Sequence, residues 1–240
     1  MALVLFNKKL TEDFYLLKAK AGAGALPGQF YMLRAWGDYP VLSRPVSVYD
    51  ADGEGVTFLY KVIGKGTGIF SRLKPGDEIT LQGPYGNGFS EVFGDASGRI
   101  AMVGGGVGIA PFYFTAKQIR EKHPGAKIDM FLGFSTIPLL LDEFRSVSDN
   151  LITDVGGYIT DKIAPEKYDT ILTCGPEPMM RALYRKCEAA GALERLYVSL
   201  ETRMACGIGS CLVCSCKTTG GNKKTCSDGP VFKGEAVFSL

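Results

Sequence analysis

The sequence predicts a multidomain β plus α/β chain: an antiparallel β-barrel, a five-stranded parallel α/β domain, and a small cysteine-rich unit at the end. Three observations carry this. Short alternating segments punctuated by Gly, Pro and Asp run from Phe14 to about residue 90, the pattern of antiparallel strands joined by tight turns. From Arg99 strand-like runs alternate with helical ones, which implies a parallel sheet covered on both faces. From Glu201 to Leu240 that periodicity is absent, and five of the seven cysteines fall between Cys206 and Cys226. The three parts span residues 1–97, 98–199 and 200–240.

In the first part, Val56 to Val62 and Glu78 to Gln82 alternate as strands do. Arg44-Pro45-Val46-Ser47 begins another strand. An arginine and a hydroxyl separated by two residues can hold a diphosphate and a flavin ring along one extended segment. Gly64-Lys65-Gly66-Thr67 precedes a short predicted helix over Gly68–Leu73. That turn is either an anion site or a plain glycine-rich connection.

The second part opens with a buried-type strand, Ile100 to Val103, and a helix in which Phe112, Ala116 and Ile119 share a face and Pro111 sits in the first turn. Further strands are expected at Ile128 to Leu132, Leu151 to Val155, Thr170 to Cys174 and Leu196 to Leu200. Between the last two, Met180, Leu183, Tyr184 and Cys187 follow helical spacing, so Cys187 reads as a core residue. The turn carrying Gly104, Gly105, Gly106 and Gly108 lets backbone approach a pyrophosphate over a helix start, although packing alone also places glycine there. It departs from the Gly-x-Gly-x-x-Gly pattern, since Pro111 follows in place of a third glycine. Cys174-Gly175-Pro176 opens at the same carboxyl edge of the sheet, where ligands of open α/β sheets bind.

In the third part, Cys206, Cys211 and Cys214 are separated by four and then two residues, and Cys226 follows after eleven more. This is plant-type ferredoxin spacing, in which one loop wraps three thiolates around a 2Fe-2S cluster and a distant fourth closes it. Gly207 and Gly209 let that loop curl and turn N–H groups toward sulfur. A four-cysteine zinc site is the alternative, but zinc sites usually pair two Cys-x2-Cys knuckles, whereas three ligands here share one arm. Cys216 breaks the spacing and reads as a shielded spare thiol. A segment with so little apolar patterning is expected to need its metal to fold.

Charge narrows the function classes. Lys and Arg number 27 against 25 Asp and Glu, with no basic run to neutralise a phosphate backbone, so nucleic acid is not an expected partner. No apolar stretch approaches the roughly 18 residues that span a bilayer, and Ala2 to Phe6 is too short for a signal-peptide core. A cytoplasmic chain is expected, with no membrane association. The lone histidine, His123, stands beside Pro124-Gly125 at a helix end and reads as solvated.

With the three parts in this order, the chain resembles the ferredoxin reductase family. Leu200 to Cys211, with Cys226 to Phe232 downstream, is similar to the electron transfer subunits of type B dihydroorotate dehydrogenases, and the resemblance spans essentially the whole chain. It implies FAD in the barrel, with Arg44, Pro45, Val46 and Ser47 as the flavin-binding strand, Leu59, Tyr60 and Lys61 flanking the isoalloxazine, and Gly66 and Thr67 at the diphosphate turn. It also implies NAD as electron acceptor, a 2Fe-2S cluster on Cys206, Cys211, Cys214 and Cys226, and an FMN-containing catalytic subunit as partner in a heterotetramer of two copies each. The resemblance further implies that dihydroorotate is oxidised on that partner, in pyrimidine biosynthesis. An iron-sulfur cluster passes one electron and a hydride carries two, so a flavin, which exchanges both, must stand between them. Hydride transfer itself requires no protein acid or base, and no catalytic side chain is expected. The segment Gly133-Phe134-Ser135-Thr136 lacks a basic residue for a 2′-phosphate, and Asp142 and Glu143 repel one, which favours NAD over NADP. Two other readings stay open: a subunit of a different flavin and iron-sulfur reductase linked to sulfide, polysulfide or ferredoxin, and a non-catalytic zinc-stabilised binding module.

Overall fold

The computed structural model describes residues 1–22, 24–92 and 98–239. Six antiparallel strands close a barrel in the order β1-β2-β5-β4-β3-β6: β1 (Ala2–Lys9), β2 (Phe14–Ala19), β3 (Phe30–Arg34), β4 (Arg44–Ala51), β5 (Val56–Lys61) and β6 (Glu78–Tyr85). Leu17, Tyr31, Val48, Phe58 and Ile79 fill its interior. The Ala2 to Phe6 run, which the sequence reading took only as too short for a secretory signal, supplies the first strand. Val4 points into the barrel while Leu3 and Leu5 face out, and this single inward apolar side chain explains the weak alternation.

Helix α1 (Lys65–Phe70) begins at Lys65 rather than at Gly68. The Thr67 hydroxyl accepts the N–H groups of Ile63 and Gly64 and donates to the Gly64 carbonyl. This local closure stabilises a helical start that glycine-rich sequence disguises.

The second unit holds β7 (Arg99–Gly105), α2 (Ala110–Lys122), β8 (Lys127–Phe134), α3 (Leu141–Val147), β9 (Asn150–Val155), β10 (Thr170–Cys174), α4 (Glu177–Ala189) and β11 (Leu196–Ser199). The five strands run parallel in the order β11-β10-β7-β8-β9. Alternate residues of β7 divide between two cores: Ile100 and Met102 pack with α2 and α3, Ala101 and Val103 with α4. Burial on both faces makes these strands read as continuous apolar runs. The chain leaves β7 toward β8 and returns to β10 on its other side, so the strand order reverses between β7 and β10. Crevices at such reversals are where open α/β sheets take ligands.

The last segment, read as lacking periodicity, contains a hairpin, β12 (Ser215–Thr218) and β13 (Gly221–Lys224), then β14 (Val231–Lys233) and α5 (Gly234–Phe238). Strand β14 pairs antiparallel with β11, Phe232 opposite Val198, so the parallel sheet gains a sixth, antiparallel edge. Three to five residues per element are too few for a detectable period. On α5, Phe238 meets Tyr184 of α4 edge-on, their ring centroids 5.9 Å apart.

One core cluster runs across the junction of the barrel and the sheet unit. Tyr49 stacks on Tyr113 of α2 with centroids 4.8 Å apart, and Leu59 and Phe89 belong to the cluster that holds Phe112. Lys117 pairs with Asp50 at 2.8 Å across the same junction. Among the described residues, no helix is long and apolar enough to cross a membrane.

Candidate functional site

Between barrel and sheet lies a cavity of about 360 Å³. Strand β4 contributes Arg44, Pro45, Val46 and Ser47 to its wall, β5 contributes Leu59, Tyr60 and Lys61, and α1 contributes Thr67. Gly66 stands beside the cavity, where the absence of a side chain leaves room for Arg44 and Trp36. A Cβ there would sit 2.7 Å from Arg44 Nε and 2.9 Å from the Trp36 ring. Arg44 lies over that ring, 5.3 Å from its centroid, and Arg34 is 5.6 Å from it. Stacking of this kind orients a guanidinium while leaving N–H donors free for a bidentate anion. Lys61 borders the cavity, but its ammonium is drawn to Asp13 at 3.1 Å.

The opposite wall was not foreseen from sequence. It comprises Val107 from the turn before α2, Ala110 at the start of α2, Ser199 at the end of β11, Leu200, Glu201 and Thr202 beyond it, and Met204 and Pro230. Glu201 stood within the recognised motif without a role, because only the fold brings the end of β11 against the barrel. Cys174 Sγ donates to Glu201 Oε1 at 3.9 Å. Burial, then the neighbouring Glu201, pushes the Cys174 thiol well above its ordinary value, and burial also raises the Glu201 carboxyl, opposed in part by the thiol's hydrogen bond. The same Leu200–Thr202 segment walls a second cavity of about 410 Å³, reached also by Gly175, Pro176, Cys216 and Lys217.

The glycines of the two strand-end turns divide by physical role. A Cβ on Gly108 would lie 2.5 Å from the Cys174 carbonyl oxygen and from the Gly175 nitrogen, so the two turns touch backbone to backbone. Gly104 makes room for Ile109 and Phe112, and Gly105 for Met179 and Pro176. Gly106 differs: its φ is +57° and it faces open space. Cys174 pairs with Gly104 in the sheet register, so both turns do leave one edge together.

In the cysteine loop, Gly207 and Gly209 both have left-handed backbone, at φ +75° and +80°. The Gly209 N–H donates to Cys226 Sγ at 3.1 Å. The N–H groups of Ile208 and Cys211 converge on Cys206 and, with the Cys211 thiol and Ser210 N–H, bring its pKa down to about 6. Burial, then a hydrogen bond with Cys214, raises Cys226 to about 11. The thiols therefore meet as two pairs, Cys206 with Cys211 and Cys214 with Cys226. Two thiolates per iron is the requirement of a two-iron cluster, whereas one tetrahedral ion needs all four at a single point. Ser227 Oγ, buried without a partner, lies 2.8 Å from where a Gly209 Cβ would stand, and supplies a further donor inside the loop. The donor set fits an anionic iron-sulfur group. Cys216 lies outside both pairs, on β12, and Cys187 is buried in α4.

The loop is seated on the barrel. Phe30, Met32 and Met204 pack around Cys214 and Cys226, and Asn87 Nδ2 donates to the Ser227 carbonyl. Phe30 and Met204 also line the cavity, so these two side chains are common to the cavity wall and the surroundings of the thiols.

Residues 201–238 match the iron-sulfur cluster binding domain of dihydroorotate dehydrogenase B. The chain is 46% identical over 239 residues to the dihydroorotate dehydrogenase B (NAD(+)) electron transfer subunit of Clostridium acetobutylicum, covering 97% of this chain and 94% of that one. Its counterpart in Clostridium perfringens is 40% identical, covering 96% and 94%. Among solved structures, one of an NADH-dependent reduced ferredoxin-NADP oxidoreductase, described in terms of flavin-based electron bifurcation, superposes with a TM-score of 0.86 at 31% identity, over 99% of this chain and 89% of that one. A ferredoxin NADP+ reductase from Neisseria gonorrhoeae, solved with FAD and NADP, shares the fold at a TM-score of 0.64 and 20% identity, covering 79% of this chain and 90% of that one.

Proposed function

This chain belongs to the family of dihydroorotate dehydrogenase B (NAD(+)) electron transfer subunits, and from that premise we propose that its cavity holds FAD, its cysteine loop a 2Fe-2S cluster, and its sheet edge NAD. The observation that carries the reading is the wall of Phe30 and Met204 common to cavity and thiol pocket, since an electron relay needs its two centres close. When bound, the flavin supplies the exchange between single electrons and a hydride.

The chain's own residues then have definite duties. Arg44, stacked on Trp36, meets the diphosphate with its remaining N–H groups, and Gly66 leaves the space for it. Pro45, Val46, Ser47, Leu59 and Tyr60 line the ring, and Lys61 closes that wall. Cys206, Cys211, Cys214 and Cys226 would hold the iron-sulfur cluster, which would supply one-electron transfer. Gly106, open and left-handed, is where backbone approaches the dinucleotide pyrophosphate, with the interlocked Gly108 and Gly175 holding that edge and Gly104, Gly105, Cys174 and Pro176 packed behind it. The partner is the catalytic subunit, carrying FMN, in a complex of two copies of each chain.

Cys206→Ser in the complex is expected to abolish NAD+ reduction by dihydroorotate while FAD absorbance is retained. Flux that survives the substitution overturns the assignment. The likeness to the bifurcating oxidoreductase, at 31% identity along nearly the full chain, favours as second reading a subunit of another flavin and iron-sulfur reductase. The protein that co-purifies, and whether it oxidises dihydroorotate, separates the two. Iron and acid-labile sulfide in the purified chain would exclude the zinc-bound module.

A further inference from the structure

Uptake of one electron by an iron-sulfur group adds one negative charge, spread over iron and sulfur. In this chain that charge arrives beside Phe30, Met32 and Met204, where Cys214 and Cys226 are buried. Apolar surroundings favour the less charged, oxidised state. Under the iron-sulfur reading proposed above, on which this inference rests, polar groups of the loop have to offset that cost.

The hydroxyls near the cysteines differ in what they bond. Ser215 Oγ donates to the Leu212 carbonyl at 2.7 Å and Thr225 Oγ1 to the Cys214 carbonyl at 3.0 Å, so both serve the backbone. Ser227 Oγ is buried and has no partner among the described residues. Its backbone is held on two sides: the N–H donates to the Lys224 carbonyl at 3.1 Å, and the carbonyl accepts from Asn87 Nδ2 at 3.1 Å. The hydroxyl is thereby set against Gly209, 2.8 Å from the position a Cβ would take there. Lys224 Nζ flanks the same glycine, 3.4 Å from that position, and the Gly209 N–H donates to Cys226 Sγ at 3.1 Å. One peptide N–H, one hydroxyl and one ammonium thus gather on the Cys226 side of the loop. Asp228, the acid nearest along the chain, accepts the Lys224 backbone N–H at 2.6 Å and closes the turn that carries both side chains.

A buried hydroxyl left unpaired is unfavourable, and sulfur bearing negative charge is an acceptor for it. We propose that Ser227 and Lys224 set the electron affinity of the cluster, the hydroxyl by donating to its sulfur and the ammonium by placing positive charge beside Gly209. Both favour the state with one more electron and so raise the reduction potential. Their ranges differ. The hydroxyl acts by contact inside the loop, whereas the half-buried lysine acts through its field, which salt screens.

In the holo complex, a redox titration followed by electron paramagnetic resonance reads the cluster midpoint directly, without turnover. Ser227→Ala is expected to lower the reduced-to-oxidised ratio at a fixed potential about tenfold, a shift of about 59 mV for one electron, with iron and acid-labile sulfide unchanged. Resonance Raman bands of the Fe–S stretches should move to higher frequency in that variant, as sulfur loses a hydrogen bond. Ser215→Ala, which removes a hydroxyl already bonded to the Leu212 carbonyl, leaves midpoint and bands where they are. Lys224→Met lowers the midpoint less, and its effect fades as ionic strength rises while that of Ser227→Ala does not. An unmoved midpoint in Ser227→Ala or in Lys224→Met, an equal drop in Ser215→Ala, or loss of iron from Ser227→Ala overturns the proposal. If the unsubstituted complex carries no iron and acid-labile sulfide, the iron-sulfur reading itself fails. A cluster that is present with an unmoved midpoint leaves that reading standing and removes only this inference.

Discussion

Gly108 shows how much one hydrogen atom in place of a methyl decides. A Cβ would press on the Cys174 carbonyl and the Gly175 nitrogen, both backbone atoms held by the β10–β7 pairing. Gly108→Ala is expected to part the two turns, costing about 1–3 kcal/mol of stability and weakening NADH binding. Denaturant unfolding and an NADH titration check this. The sequence pointed to this glycine run for its approach to a pyrophosphate, yet Gly108 is required by the backbone of the facing turn, Gly104 and Gly105 lie against the side chains of Ile109, Phe112 and Met179, and within the run Gly106 alone faces open space. Both demands select glycine, so composition cannot separate them. The cysteines were more legible, because covalent spacing along one loop limits which sulfurs can share a centre. Glu201 was not legible, since nothing local marks a carboxyl that folding will place against Cys174.

At the scale of elements, Asp149 joins three segments. It accepts from the Ile128 N–H of β8, the Arg120 guanidinium of α2 and the Lys127 ammonium. Burial pushes its pKa up, but these donors outweigh burial and hold it at about 2, against 3.8 for the free side chain. A carboxyl lowered on folding contributes stability that is present above about pH 4 and lost as pH falls toward 2. That amounts to about 2 kcal/mol. Asp149→Asn should therefore flatten the stability profile between those values, as read from urea midpoints in an acid series. Strands β7, β8 and β10 were readable because burial on both faces demands unbroken apolar runs. Strands β1 and β14 were not: one has a single inward side chain, and the other is three residues long and takes its order from β11.

Across the whole molecule, the interiors of the barrel and the sheet unit are joined by a core cluster at their junction. Tyr49, Leu59 and Phe89 share a core with α2, Lys117 bonds Asp50 across the junction, and the cysteine loop packs on Met32 and Phe30 while β14 extends the sheet. Units joined by continuous apolar packing unfold together. Calorimetry of the loaded chain is expected to show one cooperative transition, and two resolved peaks would show that the units melt independently. The same junction forms the cavity, whose walls come from residues as distant in sequence as Phe30 and Pro230.

The sequence by itself determined the order of parts, the alternation of strand and helix, and the sulfur spacing, because each depends on neighbours along the chain. Tertiary structure alone decided that the four cysteines meet as two pairs, that the tail completes the sheet, and that one short segment, Leu200–Thr202, separates two cavities. These depend on which surfaces close on one another when apolar area is buried, and contacts of that range leave no periodic trace in the residues that make them.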